Sequence, residues 1–170
     1  MLNITNRIEK LEWHPYRTWE KRSLDEVSSI VIHQALSNAD VESINKYHIM
    51  PGQNNHLSTY GAPHFAYHYG IERDGLIITA NMLEDITWHT RSQNREGIGI
   101  MLVGDFSGEG HTGNNSPTFS QFLSLEKLVD MLVSIFSNIK RTNVFGHADF
   151  GKPACPGYEI MEFIKDYRYE

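Results

Sequence analysis

At 170 residues, 40% apolar and 21% charged, the chain has the composition of a soluble globular protein, long enough to bury roughly two-thirds of its unfolded surface around one core. Its single cysteine, Cys155, excludes an internal disulfide framework, and a net charge of −6 argues against nucleic acid or an anionic membrane as partner, since both select basic surfaces. No apolar run approaches the roughly 18 residues of a membrane span, and the opening MLNITNRIEK lacks the apolar stretch of a secretory signal, so synthesis in the cytoplasm is expected.

The segment Ser28 to Gln34 (SSIVIHQ) is short, β-branched and flanked by polar residues, the pattern of a strand, and it ends on His33-Gln34. From Asp40 to Met50 the apolar residues Val41, Ile44, Tyr47 and Ile49 fit a short helix, which Pro51-Gly52 stop. A loop follows. His64 to Glu72 and Leu76 to Ala80 read as strands joined through Arg73-Asp74-Gly75, where the Asp-Gly step supplies the positive φ that a hairpin needs. Gly97 to Val103 (GIGIMLV) reads as a buried strand and Gly104 to Ser116, rich in Gly and Asn, as a mobile loop. Thr118 and Gln121 have the spacing of a capping box. The helix they open runs to about Asn138, with Phe122, Leu125, Leu128, Val129, Leu132, Ile135 and Phe136 in one wide apolar stripe. A short strand at Asn143 to Phe145, a loop from Gly146 to Gly157 and a last helix bearing Ile160, Phe163, Ile164 and Tyr167 complete the chain. Strands and helices mix without strict alternation, so the expected fold is α/β: one domain, with a central mixed β-sheet and helices packed on it. That domain spans 28–168, with residues 1–27 as an extension packed on it, and the protein is expected to be a monomer.

The rare reactive residue types gather in GHADFGKPACPG, residues 146–157, where His147 and Cys155 stand eight apart on a loop bracketed by Gly and Pro. Such a loop can fold back and aim both side chains at one point. A thiolate and a neutral imidazole are good zinc ligands, and His33 at the end of the first strand is the natural third, which leaves one position for water or substrate. Without a metal, Cys155 is a small buried hydrophobe and His33 an ordinary strand-end histidine. His64 and His68 have HxxxH spacing, but in an extended strand four residues span about 13 Å, too far to share one ion. Trp88-His89 in a polar loop offers an aromatic platform and an imidazole for substrate. His14, His48, His56 and His111 have no spacing partner and read as surface residues.

Five segments, IVIHQ, AYHYGIERDG, WHTRSQNREGIGIMLVG, PTFSQ and GHADFGKPACPG, occur in an order that resembles the zinc N-acetylmuramoyl-L-alanine amidases, the type shared by phage lysozyme-like amidases and peptidoglycan recognition proteins. The likeness covers about residues 28 to 168. It implies one zinc ion per chain, held by His33, His147 and Cys155. It also implies cleavage of the amide between the lactyl group of N-acetylmuramic acid and L-alanine of the stem peptide, with peptidoglycan as the partner. Tyr67 falls on the family's catalytic tyrosine, and Trp88, His89 and Asn94 on the substrate side. The family's other catalytic position, two residues before the cysteine, is Pro153 here, so the adjacent Lys152 is the candidate. An endolysin or another wall-lytic enzyme fits this reading. Two alternatives use the same residues: a hydrolase with Cys155 as nucleophile and His147 as its base, and a module that binds peptidoglycan without cutting it.

Overall fold

The computed structural model describes residues 2–108 and 116–169 of the chain. Six strands form one sheet: β1 (Ile4–Asn6), β2 (Ser29–Gln34), β3 (Tyr69–Ile71), β4 (Ile77–Thr79), β5 (Gly97–Leu102) and β6 (Val144–Gly146), in the order β1-β4-β3-β5-β2-β6. The only antiparallel pair among them is the hairpin β3–β4; every other pairing is parallel. Every residue of β2 and of β5 is buried, as expected of central parallel strands covered on both faces.

Alternation along the strands sorts side chains into two cores. Ile30 and Ile32 of β2 join Ile98 and Ile100 of β5 on one face, under α2 (Phe119–Ile135) and α3 (Tyr158–Tyr169). Met101 of β5 and Ile78 of β4 face the other side, where α1 (Val41–Ile49) contributes Val41 and Ile44. His33 pairs with Met101 in register. It therefore projects to the α1 face.

The register also brings the chemistry together. Ile32 lies opposite Gly146, so the next residue on each parallel strand, His33 and His147, leaves the sheet at the same end. In open sheets with parallel strands, the carboxyl ends of the strands are where ligands bind.

The capping box forms: Thr118 Oγ1 accepts from Gln121 N at 3.0 Å, and Gln121 Oε1 accepts from Thr118 N at 3.1 Å. Leu125, Leu128, Val129 and Leu132 are buried beneath α2, but the helix ends at Ile135, three residues short of Asn138. Phe136 takes an extended conformation there, and the chain turns to bury Ile139, leaving Ile135 64% exposed. The last short strand lies one residue later than expected, because Arg141–Asn143 close a 3-10 turn before it.

Residues 64–68, expected as strand, are irregular, and β3 begins only at Tyr69. Side chains replace ladder partners in this segment: Asn81 Nδ2 donates to the carbonyls of Phe65 and Tyr67 at 2.6 Å each, and His48 Nδ1 accepts from Ala66 N at 3.2 Å. His64 and His68 are thus kept apart by their own partners, not by an extended span. His64 stacks on Trp13 with ring centroids 4.0 Å apart and bonds to Asn81, while His68 Nδ1 accepts from Gly99 N–H and its Nε2 donates to the Asp85 carbonyl at 3.0 Å. His48, read from sequence as a surface residue, is buried. Within the loop expected over Gly104 to Ser116, Gly104 bridges to Ser37 and Phe106 is buried, while 109–115, including His111, lie outside the described residues.

Candidate metal centre

His33, His147 and Cys155 converge, with one ligand atom from each lying within 4.8 Å of the others. Three backbone devices deliver Cys155. His147–Phe150 form one 3-10 turn, and Gly151 ends it at φ 85°, a left-handed conformation that glycine adopts without Cβ strain. The chain then doubles back, with Lys152 N donating to His147 O at 3.3 Å and Cys155 N to Lys152 O at 2.8 Å. Gln34 clamps the result: its backbone N–H points at Cys155 Sγ, 3.4 Å away, while its carboxamide donates to Ala154 O and accepts from Phe106 N. In the sequence, Gln34 carries a single signal, its position directly after the candidate ligand His33.

Burial governs the charge of this cluster. It pushes the His33 imidazolium well below its usual range, and the nearby His89 and His147 add to the effect. His147 is held at about 4 by burial and then by Lys152, and the Cys155 thiol rises to about 11, again by burial. Two neutral imidazoles and a half-buried sulfur, with no carboxylate in the group, form a donor set that suits a borderline-soft divalent ion such as Zn²⁺. A cation among them favours the thiolate that burial alone penalises.

The cluster opens on a cavity of about 600 Å³ beside α1. Tyr67, Trp88, His89 and Lys152 line it along with His147 and Cys155, so most of the expected site residues share one space. Tyr67 stands with its ring 4.9 Å from that of His33. Trp88 is fixed as a wall, edge-on to Trp19 at 5.4 Å and beneath the Arg17 guanidinium at 5.2 Å. Asn94 is not among the lining residues; its Oδ1 accepts from Thr90 N at 2.7 Å and closes the 90–94 turn. His56 joins the lining unannounced by the sequence, since only the fold brings its loop over α1. A second cavity of about 590 Å³, between residues 12–17 and the end of α1, holds none of the expected site residues.

A model of the family described as N-acetylmuramoyl-L-alanine amidase matches residues 23–158. The chain belongs to the N-acetylmuramoyl-L-alanine amidase family. The endolysin of Enterobacteria phage T3 is 29% identical over 97 residues, 57% of this chain and 62% of that protein. Among solved structures, the N-acetylmuramoyl-L-alanine amidase LysC from Clostridium intestinale covers 98% of this amidase-family chain and 97% of its own, at 24% identity and a TM-score of 0.71. Peptidoglycan recognition protein-LE, in complex with tracheal cytotoxin (monomeric diaminopimelic acid-type peptidoglycan), matches at 23% identity and a TM-score of 0.72, covering 96% of this chain and 93% of that one. Both structures share the fold.

In this amidase-family protein the wall behind the cavity sets a pH limit. His48 is buried and its pKa is pushed down to about 3 by burial, then by His56 and His64. A folded-state pKa below the unfolded value of about 6.5 means that the neutral ring fits and the charged ring does not. Above pH 6.5 neither state binds the proton and stability is complete. As pH falls from 6.5 towards 3 the unfolded chain takes up a proton that the fold refuses, at up to about 1.4 kcal/mol per pH unit. Urea midpoints of the metal-free protein should therefore fall steadily between pH 6.5 and 4, and a flat profile over that range would contradict the burial of a neutral His48.

Proposed function

We propose that the protein is a zinc-dependent N-acetylmuramoyl-L-alanine amidase, cutting between the lactyl group of N-acetylmuramic acid and L-alanine of the stem peptide as an endolysin or similar wall-lytic enzyme. His33, His147 and Cys155 would hold the ion, within a domain spanning 28–168, with residues 1–27 as an extension that adds β1 to the edge of its sheet. The observation that carries this reading is the convergence of those three donors within 4.8 Å at the wall of an open cavity. When bound, zinc supplies positive charge that lowers the pKa of water towards about 7 and polarises a carbonyl.

The protein's own groups shape the rest. Burial raises the pKa of Tyr67, so its phenol stays protonated and serves as a hydrogen-bond donor to an amide oxygen gathering negative charge. Trp88 gives the substrate a rigid aromatic wall, and the cavity's position beside α1 leaves room for an extended peptide. Against the alternative in which Cys155 is the nucleophile, its thiol is held at about 11 rather than lowered, and its sulfur shares its space with two imidazoles instead of one base.

No Asp or Glu appears among the described residues lining the cavity, although the chain carries 21 acidic residues, and Lys152 is the one Lys or Arg there. Lys152, exposed and flexible, is suited to attract a carboxylate of the stem peptide. Lys152→Ala should raise KM about two- to fivefold, the scale of one exposed ion pair, and the effect should shrink in high salt with kcat nearly unchanged. A fall in kcat of orders of magnitude would instead place Lys152 in the chemistry.

Mass spectrometry of digested peptidoglycan tests the function. Free stem peptides beginning at L-alanine are the expected product, lost on chelation and restored by zinc. Cleaved glycan, cleavage inside the peptide, or no product from zinc-loaded protein would refute it.

A further inference from the structure

The sequence marks His89 as a substrate contact, yet both of its ring nitrogens are engaged inside the protein. His89 is 4% exposed. Its Nδ1 lies 3.2 Å from His33 Nε2, and its Nε2 lies 3.3 Å from the carbonyl oxygen of Gly97. No polar atom of the ring is left for a ligand.

The seat of this ring is built into β5. Strand alternation places Gly97 and Gly99 on the α1 face while Ile98 and Ile100 enter the opposite core. A Cβ at Gly97 would stand 3.0 Å from Cε1 of His89, and one at Gly99 would stand 2.7 Å from its Cγ. Two glycines in a buried strand carry a cost in chain entropy and forgo packing. Here they open a slot into which the imidazole lies against the backbone.

The hydrogen-bond chain has a direction, because a carbonyl oxygen only accepts. Gly97 O requires the proton of His89 on Nε2, which leaves Nδ1 of the neutral ring as an acceptor. That acceptor requires the proton of His33 on Nε2. Thr90 Oγ1, 3.4 Å from the same His33 nitrogen, is a second acceptor on that side. The lone pair of His33 is then at Nδ1, the atom 3.8 Å from Cys155 Sγ. The second lone pair of Gly97 O is occupied by the guanidinium of buried Arg22 at 2.9 Å, so the end of the chain is itself anchored.

We propose that His89 is a positioning residue: seated in the Gly97-Gly99 slot, it fixes the tautomer and ring plane of His33 so that Nδ1 is the atom that meets the metal. This rests on the reading of His33, His147 and Cys155 as a zinc centre, and it follows the rule that a ligating histidine is oriented through its other ring nitrogen. It also gives a physical reason for the pairing of His89 with Gly97-Ile98-Gly99 in the sequence, which local structure alone does not supply.

Long-range ¹H–¹⁵N correlation spectra of the zinc-loaded full-length protein test the tautomers directly. His33 and His89 should each carry the proton on Nε2, with His33 Nδ1 at the shift of a metal-bound nitrogen. A proton on His33 Nδ1, or metal at its Nε2, would overturn the proposal without any substitution that perturbs folding. Zinc affinity by competition with a chromophoric chelator gives the second reading. His89→Ala should weaken binding about 10- to 100-fold. His89→Asn, whose Oδ1 can stand where Nδ1 does, should recover most of that loss, although both variants give up the ring's packing and should lose similar amounts of Tm. Equal zinc affinity in the two variants would reduce His89 to a space-filler and end the proposal. A wild-type protein that binds no zinc would instead refute the metal centre itself, and the inference would fall with it.

Discussion

Cys155→Ser is expected to remove zinc binding and amide cleavage together. The substitution keeps the size of the side chain and leaves the loop's own supports intact, since Gly151, the Lys152 N–H to His147 O bond and the Gln34 carboxamide do not involve the sulfur. What changes is the donor. A thiol held at about 11 by burial still becomes a thiolate beside a divalent cation, whereas a serine hydroxyl in the same well stays protonated. Zinc affinity should fall by more than about 100-fold, beyond the range of outer partners, and the zinc-dependent rise in Tm expected of the wild type should vanish. Elemental analysis and chelator competition make the measurement. Loss of activity with zinc still stoichiometric would point to a cysteine nucleophile, and retained activity would remove Cys155 from both mechanisms.

The three proposed ligands and the sheet's main strands were legible in the sequence because each rests on a local signal. A β-branched run ends at His33, a Gly- and Pro-bracketed loop carries His147 and Cys155, and a capping box opens α2. The irregular course of residues 64–68 was not legible, because it depends on Asn81 and His48, which reach this segment only after folding and supply the hydrogen bonds a neighbouring strand otherwise would. The same holds for burial of His48: its position on α1 is visible, but the packing of Phe65 and Tyr67 over it is a tertiary fact. His89 shows the limit most clearly. It follows Trp88 in an otherwise largely polar stretch of sequence, and its true environment is the bare backbone of β5, a strand whose alternation of glycine and isoleucine reads first as buried strand and only in three dimensions as a slot.

Register carries much of the functional argument. A shift of one residue between β2 and β6 would move His147 away from His33 and send the side chains of β2 to opposite faces. The buried isoleucines Ile30 and Ile32 hold against that slip, each worth about 1.5–3 kcal/mol of burial on the α2 face. The core residues that bear no chemistry thus fix the geometry of those that do.

Tyr67→Phe separates the hydroxyl from the ring and should lower kcat by roughly 10²-fold or more while leaving zinc content and Tm unchanged. The ring's place is set by contacts that phenylalanine retains: edge-on packing against Phe65 at 5.3 Å, the tilted approach to His48 at 5.9 Å, and the backbone carbonyl held by Asn81. Its distance of 4.9 Å from the His33 ring follows from those contacts and not from the hydroxyl. Burial holds the phenol protonated at neutral pH, so the group acts as a donor and not as a base. A donor contributes to rate only where charge develops, which is why the loss should appear in kcat and kcat/KM together rather than in KM alone. If activity persists and Tm drops, the hydroxyl is a structural group and the developing charge on the amide oxygen is stabilised without it.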